Sequence, residues 1–280
     1  MPDTVLLYPK ELAPEDLAQL RSVKEVGRFS ALRTVAALIL REMSTTYGRS
    51  PGGYIWVILE PVLGIGLLVA IFSSGFRSPP LGSNFALFYA TGLLSMFMFT
   101  TTAAKVSQTV NYSRQLLNYP RVTLMDAILA RFILNVLTQM VIMVIVLGGI
   151  LMFTETRSTF HLDRILSSIA MAASLGLGIG LLLCTLISQH PIWQTVWSVL
   201  TRPLILISGV IILHETLPQP YRGWLDWNPL VHVTGQMRRA FYYSYRAEYL
   251  DVTYVYLAAL TCGVLGLFFL RSYYRNMMEK

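Results

Sequence analysis

Runs of about 20 apolar residues recur along this chain, and that recurrence limits what it can fold into. A bilayer core roughly 30 Å thick is crossed by about 20 residues of helix, and lipid offers no partner to an unpaired backbone amide. Six such spans can be read, at about 55–72, 85–104, 128–153, 165–187, 192–213 and 254–270, each closed by polar or turn residues. Composition agrees. Of 280 residues 54% are hydrophobic and 13% charged, against about 25% charged in an ordinary soluble domain. The expected fold is an all-α integral membrane protein with six transmembrane helices.

Charge placement sets the topology. The arm before the first span (1–54) holds seven Lys or Arg, loop 105–127 three and the tail after the last span three; the opposite side has seven. Thirteen against seven places both termini in the cytoplasm, since basic residues stay on that side. The net charge of +7 is therefore a topology signal, and nucleic acid is not an expected partner. Residues 1–29 are mostly polar, so no signal peptide is expected there.

Two segments outside the spans carry pattern. Residues 30–46 read as an amphipathic helix lying in the membrane interface, with Leu32, Val35, Ala36, Ile39 and Met43 on one face and Arg33, Arg41 and Glu42 away from it. It can serve as an anchor, as an elbow for a cytoplasmic partner, or as both. Segment 214–253 is long and aromatic, with Trp224 and Trp227 among its rings. Asn228 followed by Pro229 is a helix start, a capping side chain before a proline at the first helical position. One or two short helices dipping back into the outer leaflet are expected there.

The first span poses a question of its own. Glu60 and Pro61 stand together inside an apolar run, and Arg202 and Pro203 repeat the arrangement in the fifth span. Each proline frees a carbonyl one turn earlier, and each charge needs a wet or paired site. Both needs are met where helices line an aqueous path, with Glu60 and Arg202 as a candidate ion pair. Arg131, Asn135 and Gln139 fall at i, i+4 and i+8 on one face of the third span and join them as candidate path residues. The plainer alternative has Glu60 reaching back to the interface and Arg202 holding helices together. Trp56, Trp193 and Trp197 lie near span ends, where belting the interface competes with stacking on sugar rings. Gly176 and Gly180 are spaced for close helix packing.

Enzyme signatures are missing. The sequence has no phosphate-binding loop, no H-E-x-x-H, no G-x-S-x-G and no CxxC. Its four histidines are scattered, and Cys184 and Cys262 sit inside apolar runs as core residues. No metal or cofactor site is expected, and energised transport would draw on another chain.

Three stretches, "LREMSTTYGRSPGGYIWVILEPVLG" (40–64), "LLNYPRVTLMDAILAR" (116–131) and "RPLILISGVIILHETLPQPYRGWLDWNPLVHV" (202–233), resemble the membrane subunits of capsular polysaccharide ABC exporters, within the type-2 ABC export permease family. The resemblance covers nearly the whole chain beyond its first dozen residues. It implies a homodimer in the bacterial inner membrane, joined to two copies of an ABC ATPase that bind the ATP and Mg. The implied cargo is a lipid-linked polysaccharide, passed on to a periplasmic co-polymerase and an outer-membrane channel. It further implies that the interfacial helix and loop 105–127 dock on the ATPase, with Arg41, Tyr47, Arg114, Tyr119 and Arg121 as contacts. Segment 214–253 becomes a periplasmic gate containing Trp224, Trp227, Asn228 and Pro229, and the first and fifth spans line the path. Export of O-antigen or teichoic acid stays open within the family. A membrane-embedded transferase acting on lipid-linked sugars, or an energy-independent channel, stays open outside it.

Overall fold

Glycine lets two helices approach at the centre of this molecule. A computed structural model describes residues 30–47, 53–117, 122–154 and 159–279. Helix α6 (Leu162–Gln189) lies between α3 (Phe85–Ser107) and α10 (Val252–Glu279). A Cβ on Gly176 would meet the Phe99 carbonyl at 2.8 Å, and one on Gly180 would meet Val106 Cβ at 2.7 Å. Gly178 presses its other side against the Ala259 carbonyl of α10. Backbones that come this close gain dispersion contacts along their whole length, the usual means of holding helices together in lipid. The spacing of Gly176 and Gly180 thus does what the sequence suggested.

The other elements surround that pair. Helix α1 (Ser30–Tyr47) runs along α5 (Leu124–Phe153), α2 (Gly53–Gly75) leans on α3, and α4 (Thr109–Leu117) follows α3 directly. Helix α7 (Ile192–Ile207) stands on the flank and has no buried residue. A 3-10 turn (His214–Thr216) and α8 (Tyr221–Leu225) lead to α9 (Pro229–Phe241), which packs among α3, α6 and α10. No strand occurs among the described residues. The bundle has two polar ends. One gathers α1, α4 and the start of α2, and the other gathers α9 and the turns before it.

Caps fix several helix starts. Asn84 accepts from the Ala86 amide at 2.8 Å, and Thr123 and Asp126 form a reciprocal capping box before α5. Asn228 accepts from the Leu230 amide at 3.1 Å, the start read from Asn-Pro.

Five helices are long and apolar enough to cross a membrane: Ile55–Gly75, Phe85–Ser107, Leu124–Phe153, Leu162–Gln189 and Val252–Tyr273. They match five of the six expected spans, most extended by a few residues at one or both ends. The expected span at 192–213 differs. Its helix stops at Ile207 after 16 residues, about 24 Å at 1.5 Å each and short of a bilayer core. Gly209 then takes a φ of +72°, open mainly to glycine, and turns the chain inward so that Ser208, Gly209 and Val210 are buried.

Candidate functional site

At the α1 end, α2, α3 and α5 diverge around a cavity of about 380 Å³. Helix α2 contributes Gly53, Trp56, Val57, Glu60 and Pro61; α3 contributes Phe97, Thr101 and Lys105; α5 contributes Asn135, Thr138 and Gln139. Four of the residues read as path-lining, Trp56, Glu60, Asn135 and Gln139, therefore meet in one place. Pro61 lacks an amide for the Val57 carbonyl, which leaves that acceptor unbonded by the helix on a cavity-lining residue.

The polar wall is tightly specified. Thr101 and Thr102 each donate to their own helix, to the carbonyls of Phe97 and Met98 at 2.6 Å. Their oxygens then accept from Asn135 Nδ2, at 3.3 and 2.9 Å. Both amide hydrogens of Asn135 are used, so its carbonyl oxygen remains as an acceptor. Gln139 is buried one turn further along α5.

Arg131 is buried on the same face of α5, as the spacing predicted, but it is occupied. Its Nε and Nη2 donate to Glu42 Oε1 at 3.0 and 2.7 Å, its Nη1 donates to the Lys105 carbonyl at 3.2 Å, and its guanidinium lies 4.6 Å from the Tyr112 ring centroid. Glu42 thus turns toward α5, while Leu32, Ala36 and Met43 of the expected apolar face are exposed and Val35 and Ile39 half-buried.

Arg202 and Trp197 stand apart from the cavity on α7. Trp197 meets Phe99 edge-on, with centroids 6.2 Å apart, and Arg202 is exposed. Within one chain Glu60 and Arg202 form no ion pair; among the described residues Arg131 pairs with Glu42, and His214 Nε2 lies beside Asp226 Oδ1. Lys105, which sequence reading counted only as a loop charge, lines the cavity with no ion pair among the described residues.

Of the residues expected to meet a cytoplasmic partner, Arg41 is exposed on α1. Tyr47 ends α1 and Arg114 lies in α4, both with side chains outside the described set, and Tyr119 and Arg121 lie outside the described residues altogether. Among the expected gate residues, Trp224 and Trp227 are exposed. Pro229 is the first residue of α9, and Asn228 Nδ2 donates to the Ile207 carbonyl at 3.0 Å, joining the end of α7 to the start of α9.

The α9 end holds a cluster that sequence reading missed. Arg238 is 1% exposed; its guanidinium sits 4.1 Å from the Phe88 ring centroid and donates to the Val210 carbonyl at 3.0 Å. Tyr245 contacts Tyr249 at 3.0 Å and donates to Glu215 at 3.3 Å. His214 Nε2 lies 2.6 Å from Asp226 Oδ1, and its ring rests 3.9 Å from that of Tyr249. The Asp251 amide donates to His232 Nδ1 at 3.1 Å, so the neutral ring carries its proton on Nε2 and donates it to the Asp226 carbonyl at 2.9 Å. One signal was available: Arg238 is four residues after Thr234 and eight after Leu230, on the face that Asn-Pro starts.

The profile of the ABC-2 type transporter family matches residues 33–242. The chain belongs to that family. Relatives of this ABC-2 chain agree in length as well as sequence. The polysialic acid transport protein KpsM of Escherichia coli is 29% identical over 85% of this chain and 93% of its own length. The capsule polysaccharide export inner-membrane protein CtrC of Neisseria meningitidis is 25% identical, over 84% and 89%. BexB of Haemophilus influenzae, which carries the same description, is 22% identical over 88% and 92%. The match spans both polar ends of the ABC-2 bundle, α1 with its Glu42 and α9 with its Arg238.

Proposed function

We propose that this chain is the membrane subunit of an ATP-driven exporter that moves lipid-linked capsular polysaccharide across the bacterial inner membrane. The observation that carries the reading is the near-full-length likeness to three kinds of polysaccharide-export protein named above. Six spans, with α7 as a short fifth, would leave both termini in the cytoplasm. Helix α1 would then lie in the cytoplasmic interface, and α8 and α9 would form a re-entrant periplasmic gate carrying Trp224, Trp227, Asn228 and Pro229.

Two copies of the chain would join two copies of an ABC ATPase, which hold the ATP and Mg. Arg41, Tyr47, Arg114, Tyr119 and Arg121 would meet that partner, and Glu42 on Arg131 would carry the motion of α1 into α5. Two surfaces suit the polymer. One is the cavity with Trp56, Glu60, Asn135 and Gln139, backed by Arg131. The other is the exposed face of α7 with Trp197 and Arg202, which a second copy would bring opposite. An anionic chain moving through lipid needs a wet, weakly cationic path, and rings that bind it weakly let it slide. A periplasmic co-polymerase and an outer-membrane channel would continue the route.

Tagging the chain in its host and weighing what co-purifies tests the assembly: a stoichiometric ATPase is expected, and its absence would favour a channel or a transferase. Arg202→Ala is expected to lower surface polysaccharide severalfold while the ATPase still co-purifies. Normal capsule in that variant would remove Arg202 from the path.

A further inference from the structure

We infer that the seam between α2 and α5 is a binding slot for a phospholipid with a zwitterionic, primary-amine headgroup, phosphatidylethanolamine in kind. Two cavities lie along that seam. The polar one at the α1 end holds Trp56, Glu60, Lys105 and Gln139. The second, of about 350 Å³, is lined wholly by apolar residues, among them Val62, Ile65, Gly66, Ile145 and Gly149. Pro61 lines the first and Val62 the second, so on α2 they adjoin. On α5 they are separated by six residues, Gln139 to Ile145, about 9 Å at 1.5 Å each. An amphiphile of headgroup and acyl chain has that order and scale.

Charge selects the headgroup. Arg131 is satisfied by Glu42, which leaves Lys105 and Glu60 as the opposite charges lining the polar cavity, neither of them in an ion pair among the described residues. A phosphate can take Lys105 and the Trp56 N–H. A primary ammonium can donate to Glu60, and the free carbonyl oxygen of Asn135 adds a second acceptor. Trimethylated choline has no N–H to donate, and phosphatidylglycerol brings no cation to Glu60. A headgroup with one charge of each sign and an N–H on its cation is the one that both compensates Lys105 and donates to Glu60.

The tail has room because glycine makes it. A Cβ at Gly66 or Gly149 would meet nothing within 4 Å, so both positions face open space where a larger side chain would fill the groove. Trp56, near the start of α2, and Lys105, near the end of α3, lie at the depth where headgroups sit. The slot depends on these helices being in a bilayer; it shares its polar end with the cavity assigned above to the polymer, so the phospholipid holds that end whenever the polymer does not.

Native mass spectrometry of the full-length chain, delipidated and then titrated with dioleoyl phosphatidylethanolamine, phosphatidylcholine or phosphatidylglycerol, tests this. The ethanolamine lipid should bind about tenfold more tightly than either other lipid. Glu60→Gln should erase the advantage over choline, and Lys105→Gln should weaken all three. The paired change Gly66→Leu with Gly149→Leu, whose added Cβ atoms meet no neighbour within 4 Å, should abolish the tightest-binding lipid while the lipid-free melting temperature holds. Equal affinity for the three lipids overturns the proposal. So does lipid binding that survives the paired leucines while those leucines convert a dimer to a monomer, because a second copy would then be what covers the seam.

Discussion

The two ends of this bundle handle charge in opposite ways. At the α9 end one charge is fully enclosed: Arg238 lies against the Phe88 face and donates to the Val210 carbonyl, while Tyr245, in contact with Tyr249, donates to Glu215. At the α1 end buried Arg131 is satisfied by Glu42, while half-buried Lys105 and exposed Glu60 line a cavity with no ion pair among the described residues. A charge that folding has already enclosed is a structural part, costly to move. A charge left facing a cavity is available to whatever enters. The comparison assigns the α9 cluster to holding α9 in place and the α2–α3–α5 cavity to binding.

The contrast breaks first at Arg238. Truncation to alanine removes a fully buried side chain, its contact with the Phe88 ring and its bond to the Val210 carbonyl, and leaves a hole. We expect a loss of about 3 kcal/mol, seen as a melting temperature about 8 °C lower in detergent. Arg238→Met keeps most of the volume and removes the burden of burying a charge, so it should lose much less. If both variants left stability unchanged, the closed end would not be a structural part. A pure binding role would show itself as lost transport at full stability.

The next effect belongs to the open end. Glu42→Ala should cost about 2 kcal/mol, because it strands an Arg131 that is 5% exposed. Arg131→Ala combined with Glu42→Ala should cost little more than the worse single change, since the partners answer to each other. A coupling energy near zero would mean that α1 is held to α5 by apolar contact alone. By contrast, Glu60→Gln and Lys105→Gln should barely change stability, which is what distinguishes available charges from enclosed ones.

How much of this was legible beforehand differs between the two ends. Five spans, the start of α9 and the stripe from Arg131 to Gln139 follow from apolar run length, from the Asn-Pro signal and from a period of four. These are local rules that the final packing did not overrule. The inward turn at Ser208–Gly209 was hidden, because glycine inside an apolar run reads equally well as helix or as turn. The partner of Glu42 was hidden, since periodicity weighs apolar residues and ignores a charge with a distant partner; Glu42 and Arg131 are 89 apart in sequence. Lys105 and Arg238 were counted as loop charges. Each needed three helices to be assembled before its surroundings existed, Gly92 and Val210 against Arg238 and Trp56 with Asn135 around the cavity. The Glu60 and Arg202 pairing is absent within one chain for the opposite reason, since depths within reach of each other say nothing about which face each side chain takes.

The smallest effect sharpens the comparison by pH. Burial holds the Tyr249 hydroxyl up from 10.0 to about 12, and burial raises Tyr242 and Tyr245 as well. Above about pH 10 the unfolded chain releases these protons while the folded one keeps them, so the folded state binds more protons and stability falls as pH rises. Below that range the same groups are neutral in both states and contribute no slope. The melting temperature should therefore stay level up to about pH 10 and then decline, with a shallower decline in Tyr249→Phe. An unchanged slope in that variant would mean the Tyr249 hydroxyl is open to water. The α9 end would then be as accessible as the α1 end, and burial could no longer separate the cluster that holds the fold from the one that binds.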